Sequence, residues 1–370
     1  MIKIFYGPSQ YFTKETKDKD GISLSELIEK SDIKKIRIEG VPATEEDSRP
    51  QKINTLIIHS DEYSRLSDSG FNSFRAIIEQ FEITDFYIQN PPQKIISLLK
   101  KIRGHKVYEN YYRYPQFTIN ELENISKQFN VNILGQESAK RKLQSGIYRL
   151  VKKYNKDKPL VIMFYGPTGV GKTETAKYLA ETLGGTLFRK QFSMYQNNSF
   201  SDYLFGASHS SASFAQELLE RESNVILIDE FDKANPLFYS AFYQMFDEGL
   251  FSDKNYTVHL ENSIIICTSN FTDIKQMKQV LGEPIYNRFD LMIEFRELNL
   301  EASSQIIEKK YNEIINSLDN EDKKLLKDSD CLGKLLKNSD KLKNVRAINR
   351  VVNDAIFETI LSQRFPAEKQ

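Results

Sequence analysis

An α/β protein built on buried parallel strands is predicted by three stretches of this chain. The apolar run Leu160-Val-Ile-Met-Phe-Tyr165 enters the glycine-rich loop Gly166-Pro-Thr-Gly-Val-Gly-Lys-Thr173. Beyond it, Ala176, Leu179, Ala180 and Leu183 recur at helical spacing, with Gly184 and Gly185 to stop the helix. A second apolar run, Asn224-Val-Ile-Leu-Ile-Asp-Glu230, ends in two carboxylates, and a third, Ser263-Ile-Ile-Ile-Cys-Thr-Ser-Asn270, ends in polar residues. Continuously apolar runs of this length read as strands covered on both faces, and such sheets place their ligands at the carboxyl ends of the strands.

The loop at Gly166 sits between strand and helix, where backbone N–H groups and a helix N-terminus favour an anion. A phosphate-binding loop is the expected reading: Lys172 reaches the β- and γ-phosphates and the Thr173 hydroxyl ligates Mg²⁺. Asp229 is the second expected metal residue, and Glu230, one position on, the acceptor of a proton from an attacking water. A triphosphate with Mg²⁺ is therefore the expected ligand.

The chain has 370 residues, enough for two or three domains, and its 40% apolar and 28% charged composition is that of a globular protein. Lysine plus arginine equals aspartate plus glutamate at 51 each, so charge balance argues against nucleic acid or an anionic membrane as partner. No apolar run approaches membrane-spanning length and no signal-peptide pattern opens the sequence, which points to a cytoplasmic protein. Cys267 and Cys331 are far apart and the four histidines show no zinc spacing, so structural thiols are expected.

Residues 1–104 alternate strand and helix patterns and read as a small α/β domain. Strands are expected at Ile2 to Tyr6, Ile36 to Ile38, Ile53 to His59 and Thr84 to Ile88, and helices at Leu24 to Glu29, Phe74 to Phe81 and Gln93 to Ile102. His59, Asp61 and Glu62 read as a solvated strand end. Residues 105–117 read as a linker whose tyrosines, 108, 111, 112 and 114, pack against the next domain. Thr118-Ile-Asn-Glu121 is a capping box that opens a helix and begins a second domain, over 118–298. From Asn299 the pattern is wholly helical to the end, residues 299–370.

From Val131-Asn-Ile-Leu-Gly-Gln-Glu-Ser-Ala-Lys140 onward the sequence resembles the AAA+ ATPases, and within them the Clp-type protein unfoldases. The most subfamily-specific match is Phe246-Asp-Glu-Gly-Leu-Phe-Ser-Asp253, and Glu283-Pro-Ile-Tyr-Asn-Arg-Phe-Asp290 and Asn344-Val-Arg-Ala-Ile-Asn-Arg350 are similar to boxes of the family at large. The resemblance implies a P-loop AAA+ three-layer αβα large domain plus an all-α lid. It implies nucleotide contacts from Ile133, Leu134 and Gly135 at the adenine, from Pro167, Thr168, Gly169, Val170, Gly171, Lys172, Thr173 and Thr175 at the phosphates, and from Arg346 as sensor 2. Asn270 is implied as sensor 1 and Arg288 as an arginine finger donated to a neighbouring subunit, so a ring, hexameric in the family, is the expected assembly. Asn344 stands where the family has glycine, a change that tolerance of left-handed backbone angles would absorb.

Two departures shape the functional expectation. Where Clp unfoldases carry glycine-aromatic-valine-glycine in the pore, this chain has Ser208-His-Ser-Ser-Ala-Ser213, flanked by Tyr203 and Phe214. The segment from Phe271 to Leu281 is too short for a protease-docking loop, which argues against a barrel-shaped protease as partner. The leading expectation is an ATP-hydrolysing ring that remodels a protein partner selected by the N-terminal domain. The alternative is an ATP-controlled assembly switch that threads no polypeptide.

Overall fold

The computed structural model describes residues 1–35, 50–66, 68–102, 104–154, 156–194, 199–207, 211–327 and 329–365. The strand expected at Ile36 to Ile38 lies outside them.

The N-terminal part opens with β1 (Ile2–Tyr6), α1 (Ser9–Thr16), β2 (Ile22–Ser23) and α2 (Leu24–Lys35). It continues with β3 (Gln51–Ile58), α3 (Asp68–Ile78), β4 (Phe81–Gln89), α4 (Gln93–Leu99) and β5 (Val107–Tyr111). The strands form one parallel sheet in the order β2-β3-β4-β1-β5. Alternation sorts its faces: Ile2, Ile4, Leu56, Ile58, Phe86 and Ile88 pack with α2, α3 and α4, whereas Phe5 and Tyr87 pack with Phe12 of α1. The chain leaves β1 toward one edge and leaves β4 across β1 toward the other. The carboxyl ends of β1 and β4 thus flank a topological switch point.

The linker expected at 105–117 is corrected by this sheet, because β5 pairs with β1 through residues 107–111. Its tyrosines pack at home: Tyr111 stacks on Tyr6 at 4.7 Å between centroids, and Tyr112 lies 4.3 Å from Tyr11. An exposed, tyrosine-rich edge strand lacks the alternation of a half-buried one, which hides it from a periodicity reading. Glu62 is also not solvated; it is buried and accepts from the His59 backbone N–H at 3.0 Å, capping a 3₁₀ turn.

The chain continues through α5 (Ile119–Asn132), α6 (Glu137–Val151), β6 (Leu160–Tyr165), α7 (Lys172–Thr182) and β7 (Phe188–Gln191). After α8 (Ser199–Phe205) and α9 (Phe214–Leu219) come β8 (Val225–Asp229), α10 (Tyr243–Glu248) and the antiparallel pair β9 (Leu250–Ser252) and β10 (Thr257–His259). Then follow β11 (Ile264–Thr268), α11 (Ile274–Leu281), α12 (Glu283–Tyr286) and β12 (Leu291–Glu294). The second sheet is parallel throughout, in the order β12-β6-β11-β8-β7. A 3₁₀ turn over Pro236–Phe242 leads into α10. The lid is α13 (Leu300–Ser317), α14 (Asn320–Lys327), α15 (Cys331–Lys337) and α16 (Val345–Arg364). Its core joins Ile307, Tyr311 and Ile314 of α13 to Ile348, Val352 and Ile356 of α16.

Contact density divides the chain differently from the sequence boundaries. One compact unit is residues 1–115 with 195–224 and 248–261; the other is 116–194, 225–247 and 262–370. Two stretches of the expected ATPase subdomain, carrying α8, α9, β9 and β10, thus belong with the N-terminal sheet.

Gly166 ends β6 with φ +129°, and a Cβ there would lie 2.0 Å from the Phe295 carbonyl oxygen. Gly166→Ala is expected to lower stability by about 2–4 kcal/mol through backbone strain and overpacking. Thermal unfolding of the full chain measures it, and a melting temperature equal to wild type would contradict this account of the loop.

Candidate nucleotide site

The second sheet carries its chemistry on one edge. Parallel strands β6, β11, β8 and β7 end side by side, so residues distant in sequence meet at their carboxyl ends. A cleft of about 510 Å³ opens there, lined among others by Lys172, Asp229, Glu230, Asn270 and Arg346.

Lys172 opens α7, and its ammonium donates to the Gly166 carbonyl at 2.6 Å, the Pro167 carbonyl at 2.8 Å and Asn270 Oδ1 at 3.2 Å. Burial pushes its pKa down to about 8; Asp229 and Asp232 pull back upward, while Arg346 pushes it further down. A cation kept in so poor a solvent environment is a strong receptor for an anion. Gly169, at φ +73°, lets the lid come close: Val345 N–H donates to its carbonyl at 2.8 Å, and a Cβ would lie 3.3 Å from Arg346 Cγ. Arg346 thereby reaches the loop from the first turn of α16. Asn344 adopts an extended φ of −145°, not a left-handed one, and caps α16 by accepting from Ala347 N–H at 2.8 Å. The expected backbone reason for tolerating asparagine there is therefore corrected: the side chain is used as a helix cap.

The carboxylates are tied by Thr268, at the end of β11. Its hydroxyl donates to Asp229 Oδ1 and accepts from Glu230 N–H. Glu230 follows in the left-handed region at φ +56°, which turns its side chain away from the strand direction. Gln191 donates to Glu230 Oε2 at 3.0 Å. Hydrogen bonds from Ser193 and Gln191 hold the Glu230 carboxyl below its ordinary range, with Lys233 and Arg189 assisting and burial opposing. Glu230 is thus ionised at neutral pH. Asp229 is engaged by Arg189 through Nε at 3.0 Å and Nη2 at 2.5 Å.

Thr173 and Asp229 both line the cleft and offer hard oxygen donors. That donor set fits Mg²⁺, which takes few protein ligands and completes its shell with phosphate and water. The Arg189 guanidinium on Asp229 marks the position as one where positive charge is stabilised. Among the described residues no cluster of three or more His, Cys, Asp or Glu is arranged to hold a metal by itself.

The expected site residues gather unevenly. Ile133 and Leu134 line the cleft with Thr168 to Thr173. Gly135 instead faces the lid, where a Cβ would meet Ala302 at 2.8 Å. Thr175 is buried with its hydroxyl on the Gly171 carbonyl at 2.9 Å, and Pro167 serves through its carbonyl on Lys172. These three are structural supports of the cleft and not part of its lining. Arg288 is also absent from that lining: it pairs with Asp247 at 2.8 Å, donates to the Pro284 carbonyl at 2.7 Å and lies 3.9 Å over the Tyr243 ring. Sequence reasoning missed Arg189, Gln191, Thr268, Lys309, Lys310 and Asn349, all of which line the cleft. Thr268 carried the same signal as Asp229, a polar residue ending a buried parallel strand. Arg189 and Gln191 carried none, since only the register pairing Gln191 with Asp229 brings β7 to the site.

Two outcomes follow from this geometry. Because Lys172 loses its proton near pH 8 in the free protein, nucleotide binding above that pH must take up a proton. Affinity for ATP is expected to be greatest below pH 8 and to fall as pH rises through it, up to about tenfold per pH unit. Calorimetry in buffers of different ionisation enthalpy measures the uptake, and a pH-independent affinity between 7 and ~9.5 contradicts it. Gln191→Leu is expected to lower turnover about tenfold with nucleotide affinity unchanged, since it removes one hydrogen bond orienting Glu230.

Residues 157–327 match the family model described as AAA domain (Cdc48 subfamily). The chain is 29% identical over 267 residues to the ATP-dependent Clp protease ATP-binding subunit ClpL of Staphylococcus aureus, covering 65% of this chain and 38% of that protein. It is 26% identical over 298 residues to the chaperone protein ClpB of Malacoplasma penetrans, covering 74% of this chain and 41% of that protein. The chain therefore spans about two fifths of the length of these relatives. Among solved structures it is similar to closed-state Hsp104 with ATPγS and FITC-casein, at TM-score 0.55 and 18% identity, over 82% of this chain and 60% of that one. That likeness concerns the fold. Residues 157–327 hold the loop before Lys172 and the carboxylates Asp229 and Glu230, and this segment is an AAA domain similar to those of the Clp-type relatives.

Proposed function

We propose that the chain hydrolyses ATP and uses the cycle to remodel a protein partner. The observation that carries this reading is the convergence of Lys172, Asp229, Glu230, Asn270 and Arg346 on one cleft. In the proposal Lys172 binds the β- and γ-phosphates, Ile133 and Leu134 bound the adenine, and Asn270 orients the attacking water. Glu230, ionised and held by Gln191, accepts that water's proton at a carboxylate oxygen. Mg²⁺, held by Thr173 and Asp229, would supply charge neutralisation on the phosphates. Arg346 links the lid to the bound nucleotide, so that loss of the terminal phosphate alters lid position.

Arg288 is proposed as a finger for a neighbouring subunit's nucleotide. Its place outside the cleft of its own chain supports a role in trans, and Asp247 with Tyr243 holds it ready. Relatives of the Clp type lead us to propose a ring, hexameric by analogy, and a protein substrate met through the N-terminal domain.

One observation favours the second reading, an ATP-controlled assembly switch without threading. Tyr203 is 8% exposed, its hydroxyl bonded to Glu217, and Phe214 is fully buried, so neither flanking aromatic is available to grip a polypeptide. Residues 208–210 of the polar loop lie outside the described residues. Phe205, half exposed, is the described aromatic beside it.

Phosphate release by the purified chain tests the first claim. Glu230→Gln is expected to bind ATP and to hydrolyse it at least ~10²-fold more slowly. Arg288→Ala is expected to retain nucleotide binding and assembly while losing about 10³-fold or more in turnover. Undiminished hydrolysis by either variant would remove its assigned role. Translocation of a fluorescent unfolded protein, lost in Phe205→Ala, would select threading over the switch.

A further inference from the structure

At the switch point of the N-terminal sheet, a carboxylate is already seated. Glu220, directly after α9, projects into the carboxyl ends of β1, β3 and β4. Its Oε2 accepts from the backbone N–H and the hydroxyl of Ser9, both at 2.8 Å. Its Oε1 accepts from the Ser60 hydroxyl at 2.7 Å, the Gln89 amide at 2.9 Å and the Asn90 amide at 2.8 Å. Five donors thus converge on one carboxyl group. None is a cation, so the crevice recognises oxygen geometry, with the N-terminus of α1 adding its partial charge.

Two of the donors, Gln89 and Asn90, are also held by hydrogen bonds of their own. Asn90 forms a reciprocal pair with the Gly7 backbone, accepting from its N–H and donating to its carbonyl at 2.9 Å each. Gln89 also donates to the Gly7 carbonyl at 2.9 Å, and both amide side chains are 0% exposed. Asn90 is fixed in this way at φ +41°, a conformation that costs energy without such support. Tyr256, 3% exposed, has a buried hydroxyl with no hydrogen-bond partner among the described residues. The Tyr256 hydroxyl is near enough to feel the Glu220 charge, which adds to burial and to Asp253 in raising its pKa.

Five converging donors, an unsatisfied buried hydroxyl and a position where doubly wound sheets take anionic ligands make a receptor. We propose that the strand ends at Ser9, Ser60, Gln89 and Asn90 form a carboxylate-binding site, that Glu220 is its internal ligand, and that a carboxylate of an acidic polypeptide exchanges with it. Exchange would release the Glu220 hydrogen bonds to the ends of β3 and β4 and leave the contacts of Leu219 and Arg221 with Tyr114 in place.

The test uses the full chain without nucleotide, so its outcome is independent of hydrolysis. Glu220→Ala empties the cradle, and acetate is the first probe. Acetate is expected to raise the melting temperature of Glu220→Ala relative to chloride at equal ionic strength, and to leave wild type unmoved. A fluorescein-labelled tetraglutamate peptide, followed by polarisation, is expected to bind Glu220→Ala at least about tenfold tighter than wild type. The double variant Glu220→Ala/Ser60→Ala is expected to lose about tenfold of that gain, one hydrogen bond's worth. Amidating the peptide's C-terminus separates side-chain from chain-end carboxylates. If Glu220→Ala does not fold, Glu220→Gln carries the same peptide comparison, since it keeps the shape and turns a donor toward donors. Equal responses of wild type and the Glu220 variants to acetate and to peptide would overturn the site and leave Glu220 a staple.

Discussion

The buried ammonium of Lys172 is the constraint on which the nucleotide cleft depends. It sits on two carbonyls of its own loop and on Asn270, in surroundings that depress its pKa by burial before any neighbouring charge is considered. A cation in this condition gains from an arriving phosphate what water no longer supplies. Everything around it serves that exchange: glycines that let the loop and the lid approach, and Thr268, which aligns both acidic residues with one hydroxyl. Arg189 on Asp229 keeps the carboxylate side of the cleft neutralised as well. The chemistry is therefore poised by electrostatics, with little demand on flexible reach.

The same architectural rule operates at the N-terminal sheet with the opposite filling. Both sheets are parallel, and both gather polar groups where their strands end. In the second sheet a lysine and two acidic residues meet. In the first, neutral donors meet and a carboxylate from residue 220 satisfies them. A neutral cradle binds a carboxylate less strongly than a cationic one and releases it more easily, which suits an exchangeable contact.

Much of the ATPase domain was legible because its signals are local. The run 160–165 became β6 with the same bounds, and the pattern at 176–183 became part of α7, which starts at Lys172, since a doubly buried strand is continuously apolar and a phosphate loop needs its glycines in sequence. The lid helices were legible for the same reason: each carries its own period. Gln191 and Arg189 were not, because a four-residue edge strand of mixed polarity has no period to read. The edge strand at 107–111 was hidden by its exposed tyrosines, and Glu220 by its ordinary look as a charge at a helix end.

Residues 160–173, 224–230 and 263–270 by themselves determined the loop and strand ends from which a triphosphate site was expected, because backbone turns and strand ends are set by neighbours in the chain. The tertiary structure alone decided which side chains complete it: β7 reaches Glu230 only through sheet register, and Arg346 reaches the loop only through the close packing that Gly169 permits. It also decided that residues 195–224 and 248–261 belong with the N-terminal sheet. Hydrogen bonds between groups more than a hundred positions apart, such as Asn90 to Glu220, leave no trace in local periodicity. Their cost and benefit appear only once the chain has closed on itself.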